Sequence, residues 1–213
     1  MDSINSLHAS VKEVNTILKY AAMNTANIMK YQMFNKIAVV LLSTKFEVFI
    51  EDFMEEHSLK ILQGHKNTTM PNNMKNSFID TAVEQMVDVK NRGKKNDYLN
   101  SLIKLMKNDG DSIVDIVNIR PTTKFNYGKH GQKEIEAIFE RYGLEAFIRS
   151  TKVQSCLTML NSLIAIRNNV IHQDASPSLT HQTIKDHMDN IMIFVNLLES
   201  DINVNKLAYY NET

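Results

Sequence analysis

VQSCLTMLNSLIAIRNNVIH, residues 153–172, decides the fold. Val153, Leu157, Leu160, Ile164, Arg167 and Ile171 follow one another at steps of four, three, four, three and four. That is the spacing of one helix face, not the alternation of a strand. A second stripe of the same kind, Ile184, Met188, Ile191, Val195, Leu198 and Ile202, comes close behind. Together they predict an antiparallel helical hairpin turned at Gln173-Asp174-Ala175. Ser176 is the expected N-cap of its second helix and Pro177 the first helical residue.

Upstream the pattern is again helical. Ile37, Val40, Leu41, Thr44 and Val48, with Phe46, Phe49, Ile50 and Phe53, make a wide apolar face, and the first sixty residues read as two helices or one long interrupted helix. Gly64 and the Asn- and Pro-bearing stretch 67–73 end it. A third helix is expected over about 74–89 on Phe78, Ala82, Met86 and Val89. Residues 91–96 read as a polar basic loop, followed by a short helix on Leu99, Leu102, Ile103 and Met106 and a turn at 108–111. Ile113, Val114, Ile116, Val117 and Ile119 fit a short helix or a strand, ended by Pro121. A helix over 132–142 closes on Gly143. Only 6 Gly and 3 Pro argue against an all-β sandwich and favour few long elements. The expectation is one all-α domain spanning 1–213. It would be a bundle of long antiparallel helices with a C-terminal hairpin, a functional helix at about 148–173, and a basic irregular insert at about 90–133.

Charge is balanced, 24 basic against 24 acidic, which argues against a surface devoted wholly to nucleic acid. The insert is different. Ten Lys/Arg and four acids leave residues 90–133 at +6 and the remainder at −6. A solvated loop region explains that excess. The sharper reading is a phosphate-attracting rim, in which Lys94, Lys95, Lys124 and Lys129 would meet RNA. Cys156 is the lone cysteine, so neither an internal disulfide nor a cysteine zinc cage is available, and it reads as a small buried hydrophobe. The N-terminal residues have no basic start or apolar core, and no apolar run nears the ~20 residues of a membrane span. A soluble, cytoplasmic protein is expected.

Arg167 breaks the apolar stripe. A guanidinium does not shed its proton, so burial demands a partner or a cleft open to water, and Glu47 is the candidate partner acid. His172 lies five residues on, about 140° around an ideal helix. A distorted last turn or a second copy of the chain would bring the two together. Arginine and imidazole suit phosphodiester chemistry. The imidazole exchanges a proton near neutrality, and the guanidinium fork holds phosphate oxygens and stabilises the charge of a pentacoordinate state. Asn168 and Asn169 can orient the substrate, and with the ribose 2′-OH as nucleophile no metal or other cofactor is needed. His130, His181 and His187 with Asp174 or Asp186 match no standard zinc spacing and read as scattered surface groups.

Arg167-Asn168-Asn169-Val170-Ile171-His172 resembles the R-x4-6-H motif of HEPN domains. Residues 41–52, the segment 124–130 and the helix over 135–143 are similar to the RiboL-PSP-HEPN-like branch. The likeness covers most of 35–200 and is weakest over 65–130. It implies a helical domain whose copies pair so that two motif helices face one cleft. The implied activity is that of a metal-independent endoribonuclease, as in toxin–antitoxin and phage-defence systems, leaving a 2′,3′-cyclic phosphate and a 5′-OH. Arg167 and His172 would be catalytic and Asn168 auxiliary, with Asn169 and Glu47 in support. RNA, a homodimer partner and an antitoxin or neighbouring-gene protein are the implied partners. The rival expectation is a catalytically silent helical dimer that binds protein or RNA; a third is the regulatory half of a pair with a nucleotidyltransferase.

Overall fold

A computed structural model describes residues 1–66, 68–88, 90, 92–107, 123–125, 131–172 and 179–211. The described residues form nine helices: α1 (Asp2–Met23), α2 (Ile28–Gly64), α3 (Asn72–Asp88), α4 (Arg92–Met106), α5 (Gln132–Arg141), α6 (Glu145–Ile148), α7 (Thr151–His172), α8 (His181–Val204) and α9 (Lys206–Tyr210). No strand occurs among them, so the all-α class holds.

The N-terminal sixty residues are two helices because asparagines interrupt them. Asn24 turns its side-chain amide back on the Tyr20 carbonyl at 2.8 Å. Asn27 then caps α2 by accepting from the Lys30 backbone N–H at 3.1 Å. The start of α1 is fastened to α2 by Glu56, which accepts from the Asp2 and Ser3 backbone and from the Ser3 hydroxyl. At 37 residues α2 runs about 55 Å, and α1, α5, α7, α8 and α9 all lie against it.

The core sits on the inner face of α2. Phe46, Phe49, Ile50 and Phe53 are buried as the pattern predicts, and Phe194 of α8 and Phe139 of α5 stack into the same cluster with ring centroids 5.8–6.1 Å apart. In the α7–α8 pair, Val153, Leu157 and Leu160 and the whole α8 stripe are buried. Asn190 of α8 ties the hairpin together by donating to the Cys156 carbonyl at 3.0 Å, and Cys156 is buried between them as expected.

Two boundaries differ from the sequence reading. The α8 helix opens at His181 and not at Pro177, because Thr180 takes the cap, its hydroxyl accepting from the Thr183 N–H at 3.0 Å. The turn 173–175, Ser176 and Pro177 lie outside the described residues. The basic 91–96 loop is replaced from Arg92 onward by the first turns of α4, which packs on α3. A glycine and two lysines are tolerated there because the first turn has no intrahelical partners for its N–H groups to lose. The insert is therefore helical over 92–106, while 108–122 and 126–130, including the ambiguous 113–119 stretch, lie outside the described residues. Gly143 ends α5 as predicted, with φ of +82°.

The short α9 is fixed to α2 by two buried histidines. His57 is fully buried, with Nδ1 2.7 Å from the Tyr210 hydroxyl and Nε2 3.1 Å from the Tyr142 carbonyl. The carbonyl can only accept, so Nε2 carries the proton and Nδ1 receives the tyrosine's. His65 reaches the Tyr209 carbonyl at 3.0 Å. Gly64 is required where α2 meets α9, because a β-carbon there would run into the Tyr210 carbonyl. Burial holds the His57 imidazole down to about 4. Unfolded, it titrates near 6.5 and takes up a proton that the folded form refuses. Stability is therefore expected to rise by about 3 kcal/mol as pH goes from about 4 to 6.5, and the contribution is lost as pH falls through that window. Urea unfolding at pH 4.5 and 7 checks it against His57→Gln, in which the gap between the two pH values should shrink by about 2.5 kcal/mol; an unchanged gap refutes it.

Candidate functional site

Residues 151–172 are continuously α-helical, so the last turn of α7 is not distorted. Arg167 and His172 leave the helix about 140° apart. The core line drifts along α7. Steps averaging 3.5 residues slip by about 20° per heptad against a 3.6-residue helix. Leu163 is buried, and Ile166 and Val170 pack on the core beyond it, whereas Ile164 is half-buried and Ile171 exposed. Arg167 therefore stands at the border of the apolar face and is half-buried. The sequence reading had set it on that face.

The guanidinium is held in place by its neighbour. Nη1 donates to Asn168 Oδ1 at 3.0 Å. Nε is shut off from solvent without a hydrogen-bond acceptor. A buried charged donor left unmatched costs on the order of a few kcal/mol, and an incoming oxygen would meet it only after the side chain shifts toward solvent. The expected partner acid does not supply it. Glu47 of α2 takes the Ser43 hydroxyl at 3.4 Å, and Arg167 forms no ion pair with it. Periodicity gave the direction of each side chain about its own helix, not the distance across to the next. His172 and Asn169 are exposed on other sides of the same two turns. One chain thus joins Arg167 to Asn168 and sets His172 about 140° round the helix from Arg167.

Three residues of α2 were missed. Asn35, fully buried, donates to the Leu179 carbonyl at 2.9 Å, and its Oδ1 has no partner. Gln32 Oε1 is likewise buried and unmatched. The Tyr31 hydroxyl accepts from the His181 N–H at 3.1 Å and lies 3.2 Å from its Nδ1. These contacts anchor the chain where it re-enters after the motif. Their signal was polar side chains on the inner side of an otherwise apolar run.

The basic residues are dispersed. Lys94 and Lys95 are exposed on the first turns of α4, and Lys129 lies outside the described residues. Lys124 lines a cleft of about 280 Å³ with Glu84, Phe125, Glu134 and Arg141. Of the histidines read as surface groups, His187 is buried against α7 and burial lowers its pKa, and His181 is half-buried; His130 lies outside the described residues.

The family model RiboL-PSP-HEPN matches residues 5–204, from α1 to the end of α8 and through the whole of the Arg167–His172 turn. The chain belongs to the RiboL-PSP-HEPN family. No curated protein and no solved structure matches it. Membership gives this RiboL-PSP-HEPN chain a general nuclease or RNA-related role, and HEPN domains often act as dimers and bind RNA. Among the described residues no helix is long and apolar enough to cross a membrane.

Proposed function

We propose that the chain is a metal-independent endoribonuclease whose site is composite, assembled across a homodimer, and that it acts as a toxin or phage-defence effector. The observation that carries this reading is the guanidinium of Arg167. Asn168 fixes it, and it has one donor edge unspent on a helix whose His172 points elsewhere. A second copy facing the first supplies an imidazole where one chain does not.

In the proposed reaction, neutral His172 takes the proton of the ribose 2′-OH as its oxygen attacks phosphorus. The P–O5′ bond breaks, and the departing 5′ oxygen receives a proton from an imidazolium, leaving a 2′,3′-cyclic phosphate and a 5′-OH. Arg167 binds the non-bridging oxygens as charge builds on them, and Asn168 holds the guanidinium in register. Asn169 and Glu47 are assigned supporting roles, and Lys94, Lys95, Lys124 and Lys129 a role in backbone contact. Such contacts make binding weaken with added salt.

Incubation of the purified protein with RNA, with and without EDTA, tests the proposal. Cleavage is expected to survive the chelator and to yield 5′ ends that ligate only after phosphorylation. Intact RNA under both conditions would leave a silent interaction module.

A further inference from the structure

One end of the α1–α2 hairpin carries a patch that a solitary copy leaves bare. Met23 at the end of α1 and Ile28 and Met29 at the start of α2 are 72–82% exposed, and Tyr20, Met33 and Ile37 are about half exposed. Four of the six line a shallow groove of about 470 Å³. Met29, Met33 and Ile37 are spaced at four residues, so they form a single ridge. On the opposite side of the same turns Asn35, Ala38, Val39 and Leu42 are buried. A helix apolar on both sides is one that is covered on both sides in its working form. With about 200 Å² to a large side chain, the six expose on the order of 700 Å². That exceeds the roughly 300–600 Å² of the largest patch on an ordinary monomer and approaches the ~800 Å² per partner of a stable interface.

We infer that a second copy of this chain covers the patch, its α2 crossing antiparallel about a two-fold axis near Met33 and Ile37. A two-fold contact places the same residues on both sides, so Met33 meets Ile37 of the partner subunit and the ridge satisfies itself. The inference rests on the composite-site reading and names the surface that reading lacks. The patch and the motif lie at the same end of the bundle. Tyr31 and Asn35, on the turns that carry the patch, hold His181 and Leu179, and Leu179 is only seven residues beyond His172. Pairing here brings two Arg167–His172 turns toward one cleft. Pairing at the α9 end would leave each turn a full α7 length, about 33 Å for its 22 residues, from the contact.

Sedimentation velocity on Met33→Glu/Ile37→Glu beside the unaltered chain is the test, with circular dichroism as the folding control. The unaltered chain is expected to be a dimer at micromolar concentration. The double variant should be a monomer of undiminished helicity, with RNA cleavage lowered roughly 10²-fold or more. Met33→Leu/Ile37→Leu should remain dimeric. If the double variant loses helicity, Met29→Glu, at a position 82% exposed, gives the same readout without touching the core. A double variant that stays dimeric overturns the inference. So does an unaltered chain that is monomeric, including one that uses the patch to bind phosphatidylserine vesicles. A monomeric variant alongside an unaltered dimer that cuts no RNA upholds the surface and removes the nuclease reading.

Discussion

Replacing either Arg167 or His172 by Ala is expected to lower RNA cleavage about 10²–10⁴-fold, with the unfolding midpoint nearly unchanged for His172→Ala. His172 is exposed at the end of α7, so its truncation removes no core packing and a loss of activity there is not a loss of fold. Arg167→Lys is the more telling change at its position. It keeps the charge but not the planar fork that bonds Asn168 while offering a second edge to phosphate, so little activity should return. Mixing the two alanine variants separates one-chain from two-chain sites. In a heterodimer the shared cleft keeps one intact arginine and one intact histidine, from different copies, and part of the activity should reappear. No recovery on mixing would mean that each copy works with its own pair, and undiminished cleavage in both single variants would end the assignment.

The largest effect on stability is expected at Phe194. Its ring lies 5.7–5.9 Å from those of Phe46, Phe139 and Phe147, at edge-to-face angles of 70–80°. Through these contacts α8 meets α2, α5 and α6 at one point. Phe194 is fully buried, and its neighbours sit on rigid helices that cannot collapse into the vacated space. Phe194→Ala should cost about 3–5 kcal/mol, the sum of lost transfer energy, the cavity and the aromatic geometry. Urea unfolding measures it, and a loss below 1 kcal/mol would show that the cluster is not the hub of the bundle.

The stripes of α7 and α8 and the aromatic face of α2 were legible because helix periodicity is an intramolecular code: residues three and four apart share a side whatever lies opposite. The stop at Gly143 is equally local, whereas the asparagine break near Asn27 went unread. What the pattern did not carry was register between helices. Glu47 and Arg167 each pointed inward by their own sequence, yet they do not pair. A slow drift of the stripe along α7 moved Arg167 from the middle of the apolar face to its edge. Thr180 is the cap of α8, next to Leu179 and His181, which Asn35 and Tyr31 pin from a helix 144–150 residues away, a contact no local pattern announces. The identity of the motif side chains and their angular separation were readable; that the last turn of α7 stays regular and does not bring them together needed coordinates.

The His57–Tyr210 bond joins positions 153 residues apart. At 5–20 residues per second of synthesis, the imidazole of α2 waits on the order of ten seconds for its tyrosine. Until then its Nδ1 has no phenol to meet it, and the C-terminal end of α2 lacks its cover. The long α2 therefore forms with this contact still missing, and the core around its C-terminal end closes only once Tyr210 has been made.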